Sequence, residues 1–212
     1  MKYSDADLII GLEKARQVAT EKKSAPAYAV FETEIASMFT SVSEICSQTN
    51  TAELAWHKDI GETSDAVKKA RNAYLKWLDM VINALPGADL VRWERSNATP
   101  DQIEVSLERM ISTIDDHKEN LKFAAAALSE LTPIQELLDK ELDEDRETLR
   151  AYRNLVARKN EAKAKARELF YRFRRFVRRD CGIDSVEYGQ LKDRAIRKAR
   201  EEQLPPVETP KQ

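Results

Sequence analysis

A twelve-residue stretch, LFYRFRRFVRRD at Leu169–Asp180, concentrates five arginines and four aromatic residues. Guanidinium groups bind phosphates and carboxylates through paired hydrogen bonds, and aromatic rings stack on nucleobases. Such a stretch is typical of a nucleic-acid-binding surface, or of a basic amphipathic helix on an anionic membrane. It is equally typical of a helix whose arginines lie in solvent while its phenylalanines pack inside the protein.

The helical positions of these residues favour one of these interpretations. At 100° per residue, the three phenylalanines share an arc with Leu169 and Val177, and only Tyr171 lies among the arginines. Binding of single strands requires exposed aromatic rings on the basic side. The pattern therefore favours a solvated face or an acidic protein partner, keeps nucleic acid as the alternative over residues 158–179, and argues against a membrane partner. The predicted basic patch consists of Arg172, Arg174, Arg175, Arg178 and Arg179.

Catalytic and metal-binding patterns are not found in the sequence. The two histidines, His57 and His117, lack the glutamate three residues earlier that helical di-iron sites use. Asp115 and Asp116 precede His117, but adjacent helical residues point in different directions. Nucleophile elbows, phosphate loops and dinucleotide fingerprints have no counterpart. We therefore predict a protein that is not an enzyme and that has no metal site and no cofactor.

The two cysteines and the hydropathy indicate the compartment. Cys46 and Cys181 are isolated and lack CxxC spacing, which favours a reduced setting, although two cysteines also allow one bridge. The apolar surroundings of Cys46 predict a buried thiol, whereas the arginines near Cys181 suggest modest reactivity. No stretch approaches the roughly 20 apolar residues of a membrane span or the core of a signal peptide. The prediction is a soluble, cytoplasmic protein.

The composition predicts long helices. Charged residues make up 34% of the 212 positions, with only five glycines and seven prolines, as in coiled coils. We predict an all-α fold, namely an elongated, mostly antiparallel helical bundle with a very long coiled-coil-like helix at about 133–180. Residues 1–203 are predicted to form a single domain with a candidate sub-boundary at 86–98, and residues 204–212 a disordered tail.

Capping residues predict the helix limits. Ser4 and Thr99 have the side chains of N-caps, and Pro26 suits the first turn of a helix. The stretch 49–64 allows a break or a continuation, with Gly61 as the better restart point, and Pro133 is read as a sharp turn into the next helix. The predicted helices are about 5–23, 26–49, 64–85, 100–131, 133–180 and 186–202.

The helix at 133–180 has a row of apolar residues that no single neighbour can cover over its roughly 70 Å. Asp145, Lys159 and Lys163 interrupt this row, which predicts that the middle projects into solvent or pairs loosely. We expect the row to be buried against another chain, so that the protein acts as a structural scaffold and a homo-oligomer or a partner of other helical proteins. The predicted interface residues are Leu142, Leu149, Tyr152 and Val156.

Charge is segregated along the same helix. The net charge of the chain is −2, yet residues 134–147 carry a net −5 and residues 157–200 a net +9. In an antiparallel pair of such helices, the acidic start of one copy would lie beside the basic end of the other. Complementarity of this kind sets orientation and speeds encounter more than it raises affinity.

Overall fold

The computed structural model describes residues 4–92 and 98–203, and every regular element within these ranges is a helix. The all-α prediction of a helical bundle is confirmed. The predicted tail at 204–212 lies outside the described residues. The helices are α1 (Asp5–Glu21), α2 (Pro26–Ala84), α3 (Pro100–Asp116), α4 (Ala124–Cys181), α5 (Val186–Gln190) and α6 (Asp193–Gln203).

The N-terminal caps form as the sequence predicts. The hydroxyl of Ser4 accepts a hydrogen bond from the Asp7 amide, and the Asp7 carboxylate accepts one from the Ser4 amide. Thr99 and Gln102 make the same reciprocal pair at the start of α3. Each box satisfies two amide groups that a helix start otherwise leaves without partners.

Helix α2 runs unbroken through residues 49–64, so the predicted restart at Gly61 is wrong. A glycine inside a helix costs about 1 kcal/mol relative to alanine, which weakens a helix but does not end it. The polar side chains nearby also do not compete with the helical backbone. Thr49 donates its hydroxyl to the Ile45 carbonyl at 2.6 Å, and Thr63 donates to the Glu141 carbonyl at 3.1 Å.

Helix α3 ends 15 residues earlier, and α4 begins nine residues earlier, than predicted. Helix α3 ends at Asp116, a turn follows, and α4 begins at Ala124 and passes through Pro133 without ending. Proline inside a helix loses one backbone hydrogen bond and costs about 3 kcal/mol. Leu131 and Leu138, on either side of Pro133, are fully buried, and their burial offsets this cost.

The chain divides into two compact units, and each is described by itself. Unit 1 comprises residues 1–51 and 153–212. Unit 2 comprises residues 52–152 and contains the candidate sub-boundary at 86–98, part of which lies outside the described residues. The prediction of a single domain over 1–203 stays a prediction.

The core of unit 1 contains the phenylalanines of the arginine-rich stretch. Phe170 and Phe173 are fully buried and Phe176 is half-buried, as their helical positions predict. The rings of Tyr28 and Phe31 on α2 meet Phe173 and Phe176 at centroid distances of 5.0–6.2 Å. These contacts join the N-terminal part of α2 to the C-terminal part of α4 within this unit.

The core of unit 2 is built around α3. The apolar row of this short helix is buried against α2 and α4, where Tyr74 and Trp77 are its largest neighbours. The indole of Trp77 donates to Glu130 at 3.1 Å, so its polar atom is satisfied although its ring is buried. The buried row of α3 consists of Ile103, Leu107, Met110 and Ile114.

The C-terminal helix predicted at 186–202 is in fact two helices with a break at 191–192. Leu191 and Ile196 are both fully buried. In one continuous helix these residues would lie 140° apart, so the break allows both side chains to face the core of unit 1. The predicted stop at Gly182 is confirmed, with φ of +94°, and Ser185 caps α5.

Two glycines allow a paired test of this description. Gly61→Ala should raise the free energy of unfolding by about 0.5–1 kcal/mol, because Gly61 is helical and a Cβ there meets only open space. Gly182→Ala should lower it by about 1 kcal/mol, because its positive φ strains an L side chain. Urea unfolding followed by circular dichroism measures both, and a loss of stability in Gly61→Ala would contradict the continuous helix.

Candidate functional site

The predicted interface residues of α4 do not share one environment. Leu142 is buried in the core of unit 2, with 5% of its surface exposed, so it packs within its own chain and is not accessible to another. Leu149 and Tyr152 are half-buried in unit 2, and Val156 is half-buried in unit 1. Only the last three therefore have apolar surface left for a partner.

In unit 2, Leu149 and Tyr152 belong to a segment that lacks a core of its own. Residues 52–65 of α2 and 143–152 of α4 contribute no buried hydrophobic residue. Arg146 of α4 bonds Asp101 in the first turn of α3, so α3 begins next to Arg146. The buried row of α3 therefore packs on the part of α4 that precedes Arg146 and does not cover residues 147–152. We call residues 52–65 with 143–152 the two-helix segment.

Aromatic rings fill the seam of the two-helix segment. Trp56 stacks on Tyr152 at a centroid distance of 5.4 Å and on His57 at 5.2 Å. The indole nitrogen of Trp56 is shielded from solvent and has no hydrogen-bond partner within residues 4–92 and 98–203. Ile60 is 40% exposed and Leu54 is 71% exposed. The segment thus combines aromatic rings, one of which has an indole nitrogen without a hydrogen-bond partner among the described residues, with exposed aliphatic side chains. The periodicity of the sequence did not distinguish these residues from core residues.

The lysines that interrupt the row of α4 do not project into solvent, so that prediction is wrong. In unit 1, Lys159 and Lys163 both form salt bridges with Asp5 at the start of α1, and their side chains are only 18% and 14% exposed. Burial raises the pKa of Asp5, but the hydrogen bonds and positive charges of the two lysines outweigh burial and lower it. The lysines attach α1 to α4 rather than loosening α4.

The predicted basic patch separates into two groups. Arg172 pairs with Glu34 and lies over the Phe31 ring at 5.4 Å. Arg174 pairs with Asp193 at 2.6 Å and lies over the ring of Tyr188. These two arginines bind within unit 1 and hold its helices together, so they are not free to bind an external anion.

The other three arginines, Arg175, Arg178 and Arg179, are exposed, and none has an ion-pair partner within the described ranges. Their spacing of three and four places them on one face of α4. The buried phenylalanines point away from this face, and Tyr171, which lies on it, is half-buried against the core of unit 1, so the face offers charge with little exposed aromatic surface. We call these three residues the arginine cluster.

An acidic surface in unit 2 was missed from the sequence, because it is assembled from α3 and α4. Arg146 is shared by three carboxylates, those of Asp101 at 3.0 Å, Glu104 at 3.2 Å and Asp143 at 3.0 Å. Two more carboxylates, of Glu108 and Asp139, belong to the same surface. We call these five acids the acidic cluster; with Arg146 its net charge is −4.

The carboxylates of the acidic cluster repel one another. The pKa of Asp139 is raised, first by burial and then by the negative charges of Glu104, Glu108 and Asp143, against a hydrogen bond from Gln135. A carboxylate in this position lowers its energy when a cation approaches. The sequence shows the i, i+4 spacing of the acids within each helix, but it does not show that the acidic faces of α3 and α4 lie next to each other.

The thiols differ in environment. Cys46 is buried next to α1, and burial raises the pKa of its thiol, which favours the unreactive protonated form. Cys181 is half-buried at the end of α4, 3.2 Å from the hydroxyl of Tyr28. That hydroxyl donates to Asp180 at 2.8 Å, and the pKa of Tyr28 is raised by burial and by these neighbours.

In the part of the chain that the structure describes, no three His, Cys, Asp or Glu side chains gather in a way that could hold a metal ion. None of the helices there has both the length and the hydropathy needed to cross a membrane. Comparison with known protein families, with curated proteins and with solved structures finds no significant match to this chain. The function is therefore inferred from the surfaces just described.

The salt bridges of Asp5 predict a pH-dependent stability. Because the pKa of Asp5 is lowered by folding, its contribution is present above its ordinary value of 3.8 and is lost as the pH falls through the lower folded value. Asp5→Asn should therefore lower the free energy of unfolding by about 1 kcal/mol at pH 7, since a partly exposed pair is screened by solvent.

The difference between Asp5→Asn and the parent should shrink as the pH falls below 3.8 and as salt is raised. Urea titrations across this range measure it. The matched control is Glu119→Gln, which removes an exposed carboxylate without an ion pair among the described residues. Equal effects of the two substitutions at pH 7 would contradict a specific role for Asp5.

Proposed function

We propose that this protein is a non-enzymatic structural or scaffold protein that associates with helical protein chains, its own copies first of all, through half-covered apolar residues of its long helices. One observation carries the proposal. The two-helix segment of unit 2 exposes aliphatic residues beside an aromatic seam and has no buried hydrophobic residue of its own.

A second copy of the segment is a suitable cover in physical terms. Two antiparallel helices bury only their facing stripe, and packing two such pairs together gives the common four-helix arrangement with a shared core. Each square ångström of apolar surface then removed from water contributes about 25 cal/mol. Leu149, Tyr152, Ile60 and Leu54 all keep apolar surface that such a cover would bury.

In unit 1, Val156 is a separate position on α4 at which an apolar side chain is incompletely covered. It is half-buried, and the salt-bridged Lys159 and Lys163 mark where α1 begins to cover α4 in that unit. Residues before Lys159 in unit 1 therefore lack the cover that α1 gives to the rest of the helix. This supports the exposure of Val156 to another chain.

Binding of nucleic acid is the weaker proposal. Two of the five arginines are engaged in ion pairs and ring contacts within unit 1. Phe170 and Phe173, which would have to stack on bases, are fully buried. Three exposed arginines remain, enough for a contact with phosphates or carboxylates, and the aromatic residue beside them, Tyr171, is half-buried.

The decisive substitution is Leu149→Glu combined with Val156→Glu. Two buried carboxylates in an apolar interface are costly, so the double variant should separate an oligomer into chains of 24.3 kDa while keeping its helicity. Light scattering after size exclusion of nuclease-treated protein gives the mass, and circular dichroism gives the helicity.

The matched control is Ala151→Glu combined with Asn154→Glu, which places the same two charges on exposed positions of the same part of α4. The control should keep the mass of the parent. A parent that is monomeric throughout, or a Leu149→Glu/Val156→Glu variant with unchanged mass, would exclude the proposed surface.

A further inference from the structure

The two charged clusters are opposite in sign and incompletely neutralised within the described ranges. The arginine cluster of unit 1 presents three guanidinium groups without ion-pair partners, a net +3. The acidic cluster of unit 2 presents five carboxylates around Arg146 alone, a net −4. Each cluster therefore has capacity for ions of the other sign.

Each cluster also carries an electrostatic cost in the isolated chain. Like charges three and four residues apart on a helix destabilise it by a few tenths of a kcal/mol per pair, which applies to Arg175, Arg178 and Arg179. In the acidic cluster, the one available arginine is divided among three carboxylates, and Asp139 is partly desolvated among like charges. An oppositely charged surface would relieve both costs.

We infer that the arginine cluster of one copy docks on the acidic cluster of a second copy, with guanidinium groups paired to the carboxylates of Glu108, Asp139 and Asp143. Arginine suits this contact because its planar fork binds carboxylates through two parallel hydrogen bonds. The inference rests on the proposed self-association and names the surfaces that orient it.

A second copy fits better than a nucleic acid as the occupant. The complementary surface is present on the same chain, with a charge close in size to that of the arginine cluster. A net charge of only −2 leaves little general repulsion between copies. A phosphate backbone would be drawn to the arginines, but it would gain nothing from the exposed acids of the same chain.

The contact joins unlike surfaces, and this determines the assembly that it can form. Two copies can make the contact reciprocally and close a dimer, or each copy can bind the next in an open series. In either case Coulomb attraction between exposed groups sets orientation and association rate more than affinity, and it weakens as salt rises.

A charge-swap experiment on the full chain tests the inference. One variant carries Arg175→Glu, Arg178→Glu and Arg179→Glu, and the other carries Glu108→Lys, Asp139→Lys and Asp143→Lys. Each variant alone should self-associate roughly tenfold more weakly than the parent at low salt, because like charges then face each other or the attraction is lost. An equimolar mixture of the two should recover association to within about threefold of the parent.

Matched controls separate the clusters from net charge and from folding. Arg16→Glu, Lys69→Glu and Lys122→Glu make the same change of charge at three dispersed, exposed positions, and should keep the parent association. Arg175→Gln, Arg178→Gln and Arg179→Gln remove the charges without reversing them, and should weaken association less than the glutamates. Sedimentation velocity gives association, and thermal unfolding shows that each variant folds.

The outcomes distinguish this inference from the proposed function. If the charge variants keep the parent mass while Leu149→Glu/Val156→Glu dissociates, the inference is overturned and the apolar surface stands. A mixture that associates no better than its separate components also overturns it. If the parent copurifies with nucleic acid, and the glutamine variant lowers the salt slope of duplex binding by about two to three phosphates, the arginine cluster is a phosphate contact instead.

Discussion

A mismatch of helix length governs this structure. Helices α2 and α4 have 59 and 58 residues, whereas α1 and α3, which cover them in unit 1 and unit 2, have 17 residues each. A helix pair without a third helix buries only one stripe of each partner. Each unit therefore contains a part in which α2 and α4 pack on each other but no third helix covers them, so that no complete core forms there.

The residues of α4 follow this mismatch. Where α3 covers it, Leu138 and Leu142 are buried; where α1 covers it, Ala166, Phe170 and Phe173 are buried. Where neither α1 nor α3 covers α4 within its unit, the apolar residues of α4 remain half-buried, and polar groups lie between α4 and α2. Lys159 and Lys163 mark this transition in unit 1, since both form salt bridges with Asp5, the first residue of α1.

Sequence reasoning predicted the features that depend on neighbouring residues. The caps at Ser4 and Thr99 and the stop at Gly182 are local hydrogen-bonding and steric effects, and they form as predicted. Helical periodicity also placed the phenylalanines inside and the arginines outside. The failures at Gly61 and Pro133 have two causes. The glycine weakens the helix by too little to end it. At Pro133 the burial of Leu131 and Leu138 offsets a local preference against the helix.

The surfaces were predictable only in part for the same reason. Periodicity assigned Leu142 and Leu149 to one row, but only the position of α3 determines that the first is core and the second is half-covered. Likewise, five arginines looked equivalent until Glu34 and Asp193, remote in sequence, were found paired with two of them. The acidic cluster requires two helices and could not be read from either alone.

Apolar and charged surfaces have different consequences for assembly. Half-covered apolar residues contribute affinity but do little to fix the orientation of the partner, because the gain from apolar burial is non-directional. Charges supply direction at small gain in affinity, since the desolvation of each ion opposes its attraction. In a chain that carries both, an association that brings like-charged clusters together is disfavoured, so the charges select among the pairings that the apolar residues would allow. An internal salt bridge to Arg175, Arg178 or Arg179 would stabilise one copy slightly, but it would remove the charge that orients a partner.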